Sequence, residues 1–296
     1  MTRGDGVLLL TNAKAGSSET ETLDRAAEIL GGAGTVERVE CSAPRDVDEA
    51  LSAHDDEVVV AAGGDGSIHT LVQALHRRGE LGERVVGLLP LGTGNDLARN
   101  LGIPLEAAAA ARLLVDGASP RSLDLLVDDG DDVVVNAAHA GIGAEAAEAA
   151  SRFKPFLKAL AFPVGSVLAG VRHSGWQLRV EADGRLVTET KALMVALGNL
   201  SGIAGGAAQV APGASPRDGR IDLVVSGATG PVARVGYALS LRSGRHLRRD
   251  DVVRTVAEQV TITGEPFRIN TDGEVTEPTT SRTWTVLPRA WRIVTP

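Results

Sequence analysis

Three times in the first third of the chain, a short aliphatic run ends in a glycine or polar turn and passes directly into a helical pattern. "GVLLL" leads into "TNAKAGSS", after which Leu23, Ala26, Ala27 and Leu30 recur at helical spacing. "EVVVAA" leads into "GGDG" and then Ile68, Leu71, Val72 and Leu75. "RVVGLLP" leads into "LGTGND", "LARNLG" and an alanine-rich helix after Pro104. Strands alternating with helices argue for a parallel α/β sheet, in which the loops at the carboxyl ends of the strands gather at one place. The rhythm thus fixes a fold class and the place to look for a ligand.

From about Leu123 the period changes to short alternating runs, several broken by Asp-Gly turns of the hairpin kind. Two domains are expected: an α/β domain over 1–122 and a β-rich domain over 123–296, whose final strands are free to pack back on the first. Helical patterns interrupt the second half around Phe153 to Val171 and Pro231 to Leu247.

Composition narrows the function. A chain of 296 residues that is 43% hydrophobic can bury cores for two domains. Its net charge of −8 argues against wholesale binding of nucleic-acid phosphates. The single Cys41 excludes an internal disulfide or a cysteine zinc site, in keeping with a reducing, cytoplasmic setting. The N-terminal apolar run is too short for a secretory signal. The longest apolar stretch, Phe156 to Val171, contains Lys158 and Pro163 and falls short of the roughly 20 residues of a spanning helix, so membrane contact is expected to be peripheral.

Three glycine-bearing loops carry the chemistry. In "GGDGS", Gly63, Gly64 and Gly66 bare the backbone N–H groups where a strand meets a helix N-terminus, a place suited to an anion. Asp65 would repel a naked phosphate, and makes sense there if a divalent cation lies between them. Alone, the segment reads equally well as a tight turn. In "PLGTGND", Thr93, Asn95 and Asp96 follow Gly92 and Gly94 at a helix start, and alone that loop is simply a helix cap. Two such loops on successive strands of one sheet shift the balance towards a site. In "INTDGEV", Asp272 and Glu274 flank Gly273, and a carboxylate there could take a proton from a bound hydroxyl; alone it is a hairpin turn. The Walker A motif, the dinucleotide fingerprint, the protein-kinase signatures, HExxH and GxSxG are absent.

"GGDGS", "PLGTGNDLAR", "NAAHAGIGAEA", "LGNLSGIAGGAAQVAPGASPRDGRIDL" and the late "DGE" together resemble the catalytic-domain family of diacylglycerol kinases, particularly the soluble bacterial lipid kinases. Sphingosine kinases and, more distantly, NAD kinases share the pattern. The resemblance implies an α/β nucleotide domain and a β-rich, sandwich-like lipid domain clasping a cleft, with ATP and Mg²⁺ as cofactors. It implies that Gly63, Gly64, Asp65, Gly66 and Ser67 hold ATP phosphates, joined by Thr93 and Asn95, with Asn12 near the nucleotide. Glu274 would accept the proton of the lipid hydroxyl, desolvated beside Asp272, with Asp272 next to the metal. A further, structural Mg²⁺ would use Asp218 and the carbonyls of Ser215 and Arg220.

The implied reaction is phosphorylation of diacylglycerol to phosphatidic acid. A sphingoid base or other lipid alcohol, or a catalytically weak nucleotide- or lipid-binding regulator, stays open. Departures from the family pattern bear on rate and acceptor range: Ser67 for the usual threonine, His69 and Thr70 where a carboxylate is usual at the second position, Ala13 and Ala15 in the first loop, and Ala144 in place of an aromatic. The expected partners are ATP, a diacylglycerol-like lipid and the anionic inner face of a membrane, with no nucleic acid; a homodimer is left open. Two stretches suit the membrane: Phe153 to Val171 with Lys154 and Lys158, which reads equally as a core helix with a proline kink, and the arginine-rich "LRSGRHLRRDDVVR", which reads slightly better as a solvated helix end paired with Asp250 and Asp251.

Overall fold

The computed structural model describes residues 6–12, 17–141 and 175–296. The chain divides into one unit of Met1–Leu125 with Pro288–Pro296 and another of Leu126–Leu287.

In the first unit, β1 (Val7–Asn12), β3 (Val58–Gly63) and β4 (Val85–Pro90) are aliphatic and almost wholly buried, as central parallel strands must be. β2 (Val36–Cys41) lies at the edge and alternates between half-buried and exposed. The order is β2-β1-β3-β4, all parallel, with Val7 opposite Val36 and Val58, and Val58 opposite Val85. The end of the last strand, β18 (Thr279–Val294), joins beside β4 in parallel, with Arg292 opposite Val85.

Helices α1 (Ser17–Gly31), α2 (Pro44–Ala53), α3 (Asp65–Arg78), α4 (Asp96–Leu101) and α5 (Ala107–Val115) follow β1 to β4. Buried Asp124 fixes the returning C-terminus: its carboxylate accepts the Arg289 N–H at 2.8 Å and its carbonyl accepts the Trp291 indole N–H at 3.3 Å. Arg84, at the amino end of β4, donates to the carbonyls of Leu51, His54 and Asp56, which ties the sheet far from the loops of interest.

The second unit has two antiparallel sheets. One runs β14-β13-β10-β7-β16-β17: Val252–Ala257, Ile221–Ser226, Met194–Gly198, Ala137–Gly141, Ile269–Thr271 and Glu274–Val275. The other runs from the first half of β18 through β15 (Gln259–Phe267) and β8 (Trp176–Ala182) to β9 (Arg185–Ala192). Leu178, Val180, Val260, Ile262 and Trp284 of this sheet share one core with Val195, Leu197, Leu223 and Val225 of the other. Strand β8 shows why: every second residue is buried, so its apolar face turns inward.

Two boundaries differ from the sequence reading. The division falls between Leu125 and Leu126, three residues beyond the expected 122, and both positions lie within β5 (Pro120–Asp128). The helical pattern over Pro231 to Leu247 breaks into α6 (Pro231–Leu241) and a 3₁₀ turn (Arg245–Arg248), because Gly244 between them takes φ 67°. Phe153 to Val171, with Lys154 and Lys158, and Ala13, Ala15 and Ala144 lie outside the described residues. Among the described residues, no helix is long and apolar enough to cross a membrane.

Candidate active site

The two glycine loops of the first unit are locked to each other. β3 and β4 are neighbours in register, so their ends emerge side by side, with Gly63 opposite Pro90. The Leu91 N–H continues the ladder to the Gly63 carbonyl at 2.9 Å. Beyond it the backbones touch: a Cβ on Gly92 would lie 2.6 Å from the Gly64 Cα, and one on Gly64 would lie 3.1 Å from the Gly92 Cα. Only two glycines allow this approach, since the obstructing atoms are backbone and have no rotamer to yield.

Asp65 spans the two loops. It is the first residue of α3, after the extended Gly64 N-cap, and its Oδ1 accepts the Leu97 N–H in the first turn of α4 at 3.2 Å. Gly66 is exposed in the first turn of α3, where N–H groups lack an intrahelical carbonyl and the helix dipole is positive. Ser67 lies over Gly63, where its side chain takes the room a Cβ would need. Thr93 is exposed at the tip of the second loop. Asn95 belongs to the same loop. It is buried at φ 51°, its amide donates to the Gly92 carbonyl at 2.7 Å, and its Oδ1 accepts the Gly92 N–H at 3.0 Å. It closes its own loop, and both ends of its amide are used in doing so.

In the second unit, Thr271 to Glu274 form a two-residue hairpin turn with Asp272 at φ 50° and Gly273 at φ 103°, both positive as a type I′ turn requires. The Asp272 carboxylate accepts three consecutive backbone N–H groups: Val135 at 2.7 Å, Asn136 at 2.8 Å and Ala137 at 3.1 Å. The Gly273 N–H donates to Asn270 Oδ1 at 3.0 Å. Glu274 begins β17 opposite Thr271 and is exposed, so the desolvation expected for it is absent. The hairpin thus has a fixed base and an exposed carboxylate.

Residues 6–127 match the diacylglycerol kinase catalytic domain, and residues 136–295 match the YegS C-terminal NAD kinase beta sandwich-like domain. A "Probable lipid kinase YegS-like" protein of Pseudomonas aeruginosa is 33% identical over 297 residues, covering 99% of this chain and 95% of the relative. This chain belongs to the diacylglycerol kinase family of lipid kinases. The "Diacylglycerol kinase" of Bacillus subtilis is 30% identical over 223 residues, 74% of this chain and 71% of that protein. A crystal structure of a diacylglycerol kinase from Bacillus anthracis shares the fold, with a TM-score of 0.77 at 20% identity over 100% of this chain and 98% of that one.

The remaining residues of the lipid-kinase pattern fall as follows. Asn12 is the exposed last residue of β1, opposite Cys41. Thr70, where a carboxylate is usual, turns its hydroxyl back to the Gly66 carbonyl at 2.9 Å. Asp218 is exposed in a turn, and its Oδ1 accepts the Arg220 N–H at 3.0 Å. Among the described residues no three His, Cys, Asp or Glu side chains cluster as a metal centre, so any cation here would rely on carbonyls and water as well.

Sequence reasoning missed the Gly64–Gly92 contact, the Leu97 N–H that orients Asp65, and the peptide segment Val135 to Ala137 that anchors Asp272. A hint lay in the glycines themselves, one in each loop where no flexible turn was needed. His139, on β7 opposite Asn270, is buried, with no hydrogen-bond partner for Nδ1 among the described residues. Burial pushes its pKa down to about 4, against a smaller opposing pull from the Asp272 carboxylate, so it is neutral at physiological pH.

Proposed function

We propose that this protein transfers the γ-phosphate of ATP to the hydroxyl of a diacylglycerol-like lipid, forming phosphatidic acid. The observation that carries the reading is the glycine-to-glycine seam between the two loops, with Asp65 bridging it, in a chain whose two halves both match lipid-kinase domains. Such a seam holds the two glycine loops against each other in one arrangement. That is what a polyphosphate needs, because phosphoryl transfer depends mostly on positioning and on neutralising spreading charge.

In this reading, Gly63, Gly64, Gly66, Ser67 and Thr93 hold the phosphate oxygens, and Asn12 borders the nucleotide. Asn95 keeps the second loop in shape. Asp65, at the seam, would hold Mg²⁺, which when bound would neutralise charge on the transferred phosphoryl group. Glu274 accepts the proton as the lipid oxygen attacks the γ-phosphorus; the new O–P bond forms while the bond to the ADP oxygen breaks. Asp272 serves as a positioning residue, since its carboxylate is committed to three backbone N–H groups. Asp218, with the Ser215 and Arg220 carbonyls, would hold a structural Mg²⁺ in the second unit.

The test is incubation with Mg²⁺, γ-labelled ATP and a panel of lipids in mixed micelles, alongside Asp65→Ala and Glu274→Ala. Label in phosphatidic acid that vanishes in both variants is the expected result. Label only in a sphingoid-base phosphate or another lipid phosphate would reassign the acceptor. ATP binding with no labelled lipid would leave a binding protein.

A further inference from the structure

The face of α6 turned to solvent is apolar. Val232, Val235 and Leu239 stand at i, i+3 and i+7, one stripe of the helix, and are 87%, 46% and 76% exposed. Arg242 continues the stripe, still in helical conformation at φ −60°, ψ −33°. Tyr237 lies on the opposite side of the helix and is buried. Its ring meets that of His246 edge-on, centroids 5.6 Å apart, and His246 Nε2 lies 3.3 Å from the Val210 carbonyl oxygen. That clamp sets which face points outward, so the stripe is not a core face awaiting a small rotation.

Charge supplies the second observation. Residues 231–249 hold five arginines and no Asp or Glu, in a chain of net charge −8. Arg249 pairs with Asp251 at 2.6 Å, whereas Arg242, Arg245 and Arg248 are exposed around the end of the stripe. An apolar helix face bordered by arginines matches an anionic bilayer, where valine and leucine enter the headgroup boundary and guanidinium groups meet lipid phosphates. A second copy is the poorer match: an isologous contact uses the same patch on both sides, and residues 231–249 offer no Asp or Glu to meet the arginines.

We infer that Val232, Val235 and Leu239, with Arg242, Arg245 and Arg248, form the surface by which this protein docks on an anionic membrane. The inference deepens the lipid-kinase reading and rests on it for its purpose, since an acceptor embedded in a bilayer has to be met there. Docking itself is measurable without turnover.

The experiment is co-sedimentation with vesicles of phosphatidylcholine alone or mixed with phosphatidylglycerol, without ATP. It compares the intact chain with Val232→Asp/Leu239→Asp and with Arg242→Glu/Arg245→Glu/Arg248→Glu. All five positions are exposed or end a helix, so thermal melting should not move. Expected are binding to the anionic vesicles only, a loss of about tenfold in the apolar pair, and a loss on the order of a hundredfold in the arginine triple. Phosphorylation of a monomerically dissolved short-chain diacylglycerol should be unchanged in both.

Unchanged vesicle binding in either variant overturns the surface. So does a dimer that Val232→Asp/Leu239→Asp converts to monomer while vesicle binding persists, which would assign the stripe to a second copy. A protein that phosphorylates no lipid, yet loses anionic-vesicle binding in both variants, keeps the docking surface and loses the kinase reading. One that phosphorylates the soluble lipid while both variants bind as before does the reverse.

Discussion

The same dipeptide, Asp-Gly, stands in both units and does two different things. In the first unit Asp65-Gly66 opens a helix, and one carboxylate oxygen reaches across to a second loop. In the second, Asp272-Gly273 is a left-handed turn whose carboxylate is saturated by three N–H groups of a distant strand connection. An aspartate beside a glycine is therefore no guide to chemistry by itself. The number of backbone donors that claim its oxygens differs between the two places, and in the hairpin the exposed carboxylate is that of the neighbour, Glu274.

The sharpest test of that division is Glu274→Gln. It should lower phosphoryl transfer by about 10²- to 10⁴-fold, the range for a lost general base, with an unchanged urea midpoint because Glu274 is exposed. Asp272→Ala should show the opposite balance: three N–H groups lose a charged acceptor, costing about 3–5 kcal/mol in urea unfolding. Asp272→Asn, which keeps one acceptor oxygen, should cost less. An Asp272→Ala protein as stable as the parent would break the comparison.

His139 probes the same sheet through pH. Its folded pKa lies below the ordinary value of 6.5, so the folded state prefers the neutral ring. Its contribution is then present above about pH 6.5 and is lost as pH falls towards 4, where the unfolded chain binds the proton more readily. Relative to His139→Gln, the parent should lose on the order of 3 kcal/mol between about pH 7 and pH 4. Parallel stability curves for the two proteins would refute it.

The smallest effects test the first unit. Gly92→Ala forces a Cβ against the Gly64 backbone and should cost about 1–3 kcal/mol, with a matching loss of ATP affinity by calorimetry. Gly66→Ala meets nothing within 4 Å, and should stabilise α3 by about 0.5–1 kcal/mol. If Gly66→Ala also weakens ATP binding, phosphate approaches that N–H closely; if Gly92→Ala leaves affinity intact, the seam is not what holds phosphate.

Much of the fold was legible because period is a local property. Val58 to Gly63 and Val85 to Pro90 read as strands, Ile68 to Leu75 as a helix, and Asp272-Gly273 as a turn, since each depends on residues within a few positions. The loops of the site were legible as motifs for the same reason. Their assembly was not. Asn95 looked like a ligand-binding amide, and whether its side chain faces a phosphate or the Gly92 backbone depends on a φ of 51° that several sequences permit.

The sequence by itself determined the parallel α/β half, the β-rich half, the helix starts and the turn at residues 272–273, all through short-range sterics and hydrophobic spacing. Tertiary structure alone decided that Gly64 meets Gly92, that Asp65 reaches Leu97, that Asp272 is consumed by Val135 to Ala137, and that α6 turns Val232 and Leu239 outward. The first three join residues far apart in the chain and the last follows from how α6 packs; such outcomes are set by which strands lie side by side and which faces are already covered, a choice that no local pattern encodes.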